Sequence, residues 1–178
     1  IDATNIMDGS VMHHNIYAAY ICNINKLITR DAFLHRAGSF SGSNLDFYNF
    51  TGASTANILS RTGENDIFIS KYTLDQVLTL RFRISGLSTE LAPELFITDT
   101  NIYISGVFNS FPVRFYNADD TTNSSNDLLS NGVYSSFIAK YTLTGEFVWA
   151  LRITGTKSDT NPTYLQVDET NNYLYASG

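Results

Sequence analysis

A seven-residue string occurs twice, and this repetition limits the fold more than any other feature. Phe68-Ile69-Ser70-Lys71-Tyr72-Thr73-Leu74 returns 69 residues later as Phe137-Ile138-Ala139-Lys140-Tyr141-Thr142-Leu143. Arg83-Ile84-Ser85-Gly86 returns as Arg152-Ile153-Thr154-Gly155, Pro93 falls on Pro162, and Asp99 falls on Asp168. After a three-residue insertion, Ile102 to Gly106 match Leu174 to Gly178. An earlier, more diverged copy lies 68 residues upstream, where Ala37-Gly38, Phe40 and Phe47-Tyr48-Asn49 anticipate Ser105-Gly106, Phe108 and Phe115-Tyr116-Asn117. Ile16 meets Ile84 at the same offset, and Asn5 to Met12 lie weakly over Thr142 to Trp149, with Asp8-Gly9 as the turn. The 178 residues therefore hold about two and a half copies of a unit, beginning and ending inside one. No Pro/Gly/Ser linker separates the copies, as expected of one continuous array.

The period inside each unit is two. Leu78, Leu80, Phe82 and Ile84 alternate with Thr79, Arg81 and Arg83, which reads as a strand with one buried face. Residues 66–73, 101–108, 136–142 and 172–177 read the same way, with short strands expected at 95–98 and 164–167. Turn residues separate them: Thr144-Gly145, Leu74-Asp75-Gln76, Asp99-Thr100-Asn101 and Asp168 to Asn172. Each unit is thus four short antiparallel strands with one long polar loop, at about 50–65 in one copy and 117–131 in the next. Tandem four-stranded units without helices predict an all-β fold of β-propeller blades. The expected divisions are the end of a blade at 1–16, blades at 17–86 and 87–155, and the start of a blade at 156–178. Two and a half blades cannot close a ring, so an incomplete propeller or a fragment of a larger one is expected. Closure by several chains and an open stack are the alternatives.

The later copy also carries a family pattern. Ser136-Phe137-Ile138-Ala139-Lys140-Tyr141, followed by Leu143-Thr144-Gly145-Glu146-Phe147-Val148-Trp149-Ala150, resembles the SBBP family, the β-propeller repeat of bacterial surface and secreted proteins. The family's other half is echoed by Leu165-Gln166-Val167-Asp168 and Leu174-Tyr175-Ala176-Ser177-Gly178. The 66–86 copy departs from it, with Asp75-Gln76 in place of the Gly turn and Leu80 where Trp149 stands later. The resemblance implies a propeller fold and a secreted or surface-exposed setting. It carries over no catalytic residue, cofactor or metal ligand.

Composition narrows the function. With 11 Lys plus Arg against 17 Asp plus Glu, the net charge is −6 and no basic block exists to contact phosphates, so no nucleic acid is expected. No apolar run approaches the roughly 20 residues of a membrane helix. Cys22 is the single cysteine, which excludes an intrachain disulfide and a cysteine zinc site. The chain starts at Ile1 without a signal peptide, as expected if processing or fragmentation removed the true start.

No residue qualifies as catalytic, cofactor-binding or metal-ligating. Asp119, Asp120 and Asp127 with Asn117, Asn123 and Asn126 are rich in oxygen, but their spacing is not that of an EF-hand, and a solvated loop accounts for them. His13 and His14 would point to opposite strand faces, and His35 takes the place of Tyr103 and Tyr175 as a packing substitution. Cys22 lies in the apolar run 18–22 and reads as a small buried hydrophobe rather than a nucleophile. Lys71 and Lys140 recur, as do Arg83 and Arg152, and recurrence argues for structure because an active site needs one copy. The arginines are expected to cover a blade face or pair with a neighbouring carboxylate. Phe68, Phe137, Trp149, Tyr103 and Tyr175 are expected in the core between blades. Asn49-Phe50-Thr51 and Asn123-Ser124-Ser125 are sequons within or beside the long loops.

The expected function is a non-enzymatic scaffold that presents variable loops to a protein partner or glycan, on a cell surface or a large particle such as a virion. The alternative is part of a propeller enzyme. Its active site would lie in a central channel lined from 95–98 and 164–167, with catalytic groups supplied by further blades.

Overall fold

The computed structural model describes residues 16–17, 22–49, 51–130, 134–154 and 164–177. The Asp8-Gly9 turn, His13, His14, Phe50, Gly155, Pro162 and Gly178 lie outside them. The described strands are β1 (Ile16–Tyr17), β2 (Cys22–Arg30), β3 (Phe33–Ser41), β4 (Leu45–Tyr48), β5 (Ser54–Leu59), β6 (Asn65–Thr73), β7 (Leu78–Gly86), β8 (Glu90–Ile97), β9 (Asn101–Phe108), β10 (Val113–Phe115), β11 (Ser135–Thr142), β12 (Phe147–Ile153), β13 (Tyr164–Asp168) and β14 (Tyr173–Ser177).

The fold is all-β, as the period of two requires. β2, β3, β6 and β7 form one antiparallel meander, and β8, β9, β11 and β12 form the next, so the four-stranded blade occurs twice. β13 and β14 pair as a further hairpin against β8. No closed ring is formed by the described residues. The two meanders share an apolar core in which Phe82 of β7 stacks on Tyr141 of β11, with ring centroids 4.4 Å apart. An aromatic triad recurs in each unit. Phe68 meets Phe40 and Phe47, and 69 residues later Phe137 meets Phe108 and Phe115. The ring leaves no room for a side chain beside it: a Cβ on Gly38 would lie 2.7 Å from the Phe68 ring, and one on Gly106 would lie 2.9 Å from that of Phe137.

The long loops differ from the expectation of simple solvated connections. The loop expected at 50–65 holds a strand of its own, β5, which pairs with β4, and just before each expected loop a short strand, β4 or β10, leaves its own unit and pairs with the last strand of the unit before. β10 adds to β7 with Phe115 opposite Ile84, and β4 adds to β1 with Phe47 opposite Ile16. Both partners of the second pair lie 68 residues before those of the first. Val113 and Phe115 are buried in the core that the two full units share, and Leu45 and Phe47 are buried in a core built within their own unit with Phe40, Leu59 and Phe68. One turn of 3₁₀ helix (Ser124–Asn126) interrupts the expected absence of helix, with Asn123 capping it from its side chain.

Other expectations are corrected. The strand expected at 95–98 starts earlier, at Glu90, because a register shift between Leu91 and Glu94 accommodates Pro93 inside it. The far face of β7 is also buried at Arg83 and Ser85, where neighbouring loops cover it. Asp168 does not take the place of Asp99. Asp168 still pairs with Tyr173 as the last residue of β13, whereas Asp99 lies within the turn that follows Ile97. Tyr175 is exposed and Trp149 half-buried, whereas Phe68, Phe137 and Tyr103 are in the core.

Chain direction sorts the connections into two ends. The short turns at 31–32, 74–77, 98–100, 143–146 and 169–172 lie at one end of the sheets. The linker 87–89 and the described residues that follow β3 and β9, up to Glu64 and Ser130, lie towards the other.

Candidate interaction surface

The short-turn end holds a cleft of about 440 Å³ between the first strands of successive units, β2, β8 and β13. It is lined from 96–99 and 166–170, which overlaps the stretches 95–98 and 164–167 expected to face a channel but leaves out Leu95, Tyr164 and Leu165. Its charges are engaged. Arg30 pairs with Asp99 and also donates from Nη1 to Ile97 O at 2.9 Å, and further along the same two strands, outside the cleft lining, Lys26 pairs with Glu94. Glu169 accepts from Thr100 Oγ1 at 2.7 Å, Asn101 Nδ2 at 2.6 Å and Tyr103 Oη at 2.9 Å, with Lys140 Nζ 4.0 Å away. Burial acts to raise the Glu169 carboxyl, but these donors and Thr98 outweigh it and hold it at about 2. A carboxylate so strongly stabilised as the anion is a poor general acid or base near neutrality. Its contacts join the β8–β9 sheet to the unit that follows.

The seam between the two full units centres on Arg83. Its guanidinium donates to Ser60 O and Thr62 Oγ1 of its own unit and to Asp120 of the next, and lies 4.0 Å over the Tyr116 ring. Arg83 therefore pairs with a neighbouring carboxylate, as expected, and Arg152 keeps the first part of the pattern by donating to Leu129 O. The loop acids are not simply solvated. Asp120 binds Arg83, Asp127 binds Arg114 at 3.4 Å, and Asp119 accepts from Thr121 N and Oγ1 at 3.0 and 2.6 Å. No group of three or more His, Cys, Asp or Glu among the described residues is arranged to hold a metal ion.

Other singled-out residues have local tasks. His35 is buried across from Lys71, as Tyr103 lies across from Lys140, and burial with the Lys71 charge lowers it to about 4. Lys71 lies 4.0 Å over the Phe33 ring, and Lys140 lies 5.3 Å over that of Tyr103. Burial pushes the Cys22 thiol up to about 11, which leaves it a neutral packing group. In the sequons, Asn49 Oδ1 accepts from Thr51 N and Asn123 Oδ1 from Ser125 N, each at 3.0 Å, so both asparagines shape turns.

The long-loop end carries a feature that repeat analysis passes over. Leu87 and Phe111 are 72% and 65% exposed, and Leu129 is exposed on a stretch whose Ser130 bonds the loop of Phe111. Their loops are stitched together: Ser88 N donates to Ser110 Oγ at 2.8 Å, Thr89 N to Asn109 Oδ1 at 2.9 Å, and Ser130 Oγ to Asn109 O at 2.9 Å. The equivalents of Phe111 and Leu129 in the preceding copy are Ser43 and Ser60. Apolar residues that break the repeat and face solvent serve neither packing nor the shared scaffold, and an exposed apolar patch on a rigid rim marks a contact surface. The departure from the repeat at these positions is the sequence signal that could have located it.

Comparison with curated proteins finds an uncharacterised WD repeat-containing protein of Acanthamoeba polyphaga mimivirus, 30% identical over the aligned region. The alignment covers 52% of this chain but only 8% of that protein's length. No protein-family model matches, so the likeness to the SBBP repeat is not extended by it. No solved structure matches significantly.

Proposed function

We propose that this chain is a non-enzymatic β-propeller scaffold for protein–protein contact, with blades at 17–86 and 87–155, and that the Leu87–Phe111–Leu129 rim is its contact surface. The observation that carries the reading is that rim: exposed, apolar, braced by cross-loop hydrogen bonds and confined to one copy of the repeat. The similarity to a WD repeat-containing protein supports a scaffold, since such repeats build propellers whose rims and faces carry binding loops. The setting we propose is a secreted or particle surface. The SBBP-like strings support the first, and the viral source of the relative supports the second. A glycan is the less favoured ligand here, because the rim offers Leu and Phe rather than converging polar groups.

The channel-enzyme alternative has the cleft at the short turns in its favour. Against it stands the engagement of Arg30, Asp99 and Glu169 in contacts between units. The test is affinity capture with the wild-type chain and with a Leu87→Ser/Phe111→Ser variant, both checked for unchanged melting. A protein partner held by the wild type and reduced at least tenfold by the variant supports the reading. Equal recovery by both overturns the rim as the contact surface.

A further inference from the structure

We infer that the outer edge of β12 is a strand-addition site whose occupant is an extended segment of the pattern apolar-x-apolar-Tyr, supplied by another unit of the same repeat. The inference goes beyond the scaffold reading, because it concerns how units join and not what the rim binds.

The seam already described defines what such a site needs. β7, the last strand of its meander, has β6 on one side and Val113-Arg114-Phe115 on the other. β1 is joined in the same register by Leu45 to Tyr48. Both added strands read apolar-x-apolar-Tyr: Val113, Phe115 and Tyr116, and Leu45, Phe47 and Tyr48. The side chains then pack on the added strand's own unit, since Phe115 meets Phe137 and Phe147. Tyr116 is set under the guanidinium of Arg83.

β12 is the counterpart of β7, 69 residues on, and carries the same acceptor features. Arg152 stands where Arg83 stands, and donates to Leu129 O as Arg83 donates to Ser60 O. Among the described residues, β12 is the edge strand of its sheet, paired with β11 alone. Leu151 and Ile153 are 40% and 38% exposed, where their counterparts Phe82 and Ile84 are fully covered. The apolar surface that β10 and its unit cover on β7 is thus open on β12. An exposed edge with apolar side chains is a template for a further strand, and the two internal pairings show which strand it takes.

The test supplies the occupant within the chain. β14 corresponds to β9 at an offset of 72, so the sequence Val107 to Thr122 appended after Gly178 would place a copy of β10 beside β12. Hydrogen exchange is then measured residue by residue on the parent and extended chains. Amide exchange across Phe147–Ile153 should slow on the order of tenfold or more in the extended chain. An extension with the same residues in scrambled order should leave it unchanged. Exchange there that matches the parent, or equal slowing by the scrambled extension, overturns the inference.

Discussion

Asp120, on the loop of one unit, forms an ion pair with Arg83 on the last strand of the unit before, with Arg83 Nε donating to Asp120 Oδ1 at 3.0 Å. The pair is asymmetric. The Arg83 side chain is almost wholly buried, while that of Asp120 is half exposed. Removing the buried partner should therefore cost more than removing the exposed one.

Arg83→Ala also strips Ser60 O of its Arg83 donor, leaves Thr62 Oγ1 with Ser85 Oγ alone, and takes the stacked cation from Tyr116. It should destabilise the fold by about 2–4 kcal/mol, and Asp120→Ala by about 0.5–1 kcal/mol. Urea unfolding of both single variants and the double variant gives the coupling, expected near 1 kcal/mol. Two single losses both under about 0.5 kcal/mol would show that the seam does not depend on this residue.

Two carboxyls are buried at the same seam. Asn65 bridges to Thr89, so Asp66 and Glu90 follow side by side. Both are fully covered, and Asp66 Oδ1 and Glu90 Oε1 have no hydrogen-bond partner among the described residues. Burial raises Asp66 to about 6, opposed by the Thr62 and Gly63 amides and by Arg83 and Arg61. Burial, with the Asp66 charge adding to it, raises Glu90 to about 8 against Ser110 and the Gly86 amide. A carboxyl with a raised folded pKa binds its proton more tightly when folded. Its contribution is complete below the unfolded value of about 4 and is lost as pH rises through the folded value. His35, held down to about 4, acts in the opposite direction between there and about 6.5, so a window above that isolates Glu90. Stability should fall by about 1–2 kcal/mol between pH ~7 and pH ~8.5. Glu90→Gln should flatten that slope in denaturant titrations; an unchanged slope would remove Glu90 as its source.

The corresponding turns at 74–77 and 143–146 make opposite predictions. Gln76 sits at φ 64°, where the later copy places Gly145 at φ 82°. A residue with a Cβ pays about 1 kcal/mol there, so Gln76→Gly should stabilise by about 0.5–1 kcal/mol. Gly145→Ala should destabilise by about 2 kcal/mol or more, since its Cβ would also lie 2.8 Å from Leu80 Cδ1 and 2.9 Å from Ala118 Cβ. Thermal melts of the two variants should therefore shift in opposite directions, and shifts of the same sign would contradict the turn argument.

What was legible in the sequence follows the range of the interaction. The strand at 78–86 and the hairpin around Gly145 are written in neighbouring residues and in the repeat. The match of Ile16 to Ile84 and of Phe47 to Phe115 was visible too, but not that Phe47 pairs with Ile16 and Phe115 with Ile84. Pairing joins segments about 31 residues apart through a loop whose strand shows only two apolar positions, too few to establish a period. Asp120 looked like part of a solvated acidic run because its partner lies in another unit. Leu87, Phe111 and Leu129 were missed for a different reason: a method that aligns copies rewards agreement, and these residues matter where the copies disagree.

The borrowed strand sets the folding grain of the chain out of step with its spelling. A cut at the repeat boundary after Gly86 would leave β7 without β10, while β10 would remain with the unit that follows. Gene duplication or recombination that copied the written unit would transplant each latch away from the edge it was shaped to fit. New copies are therefore best tolerated beside a neighbour of matching sequence, which favours growth of such arrays by tandem addition over exchange of single units.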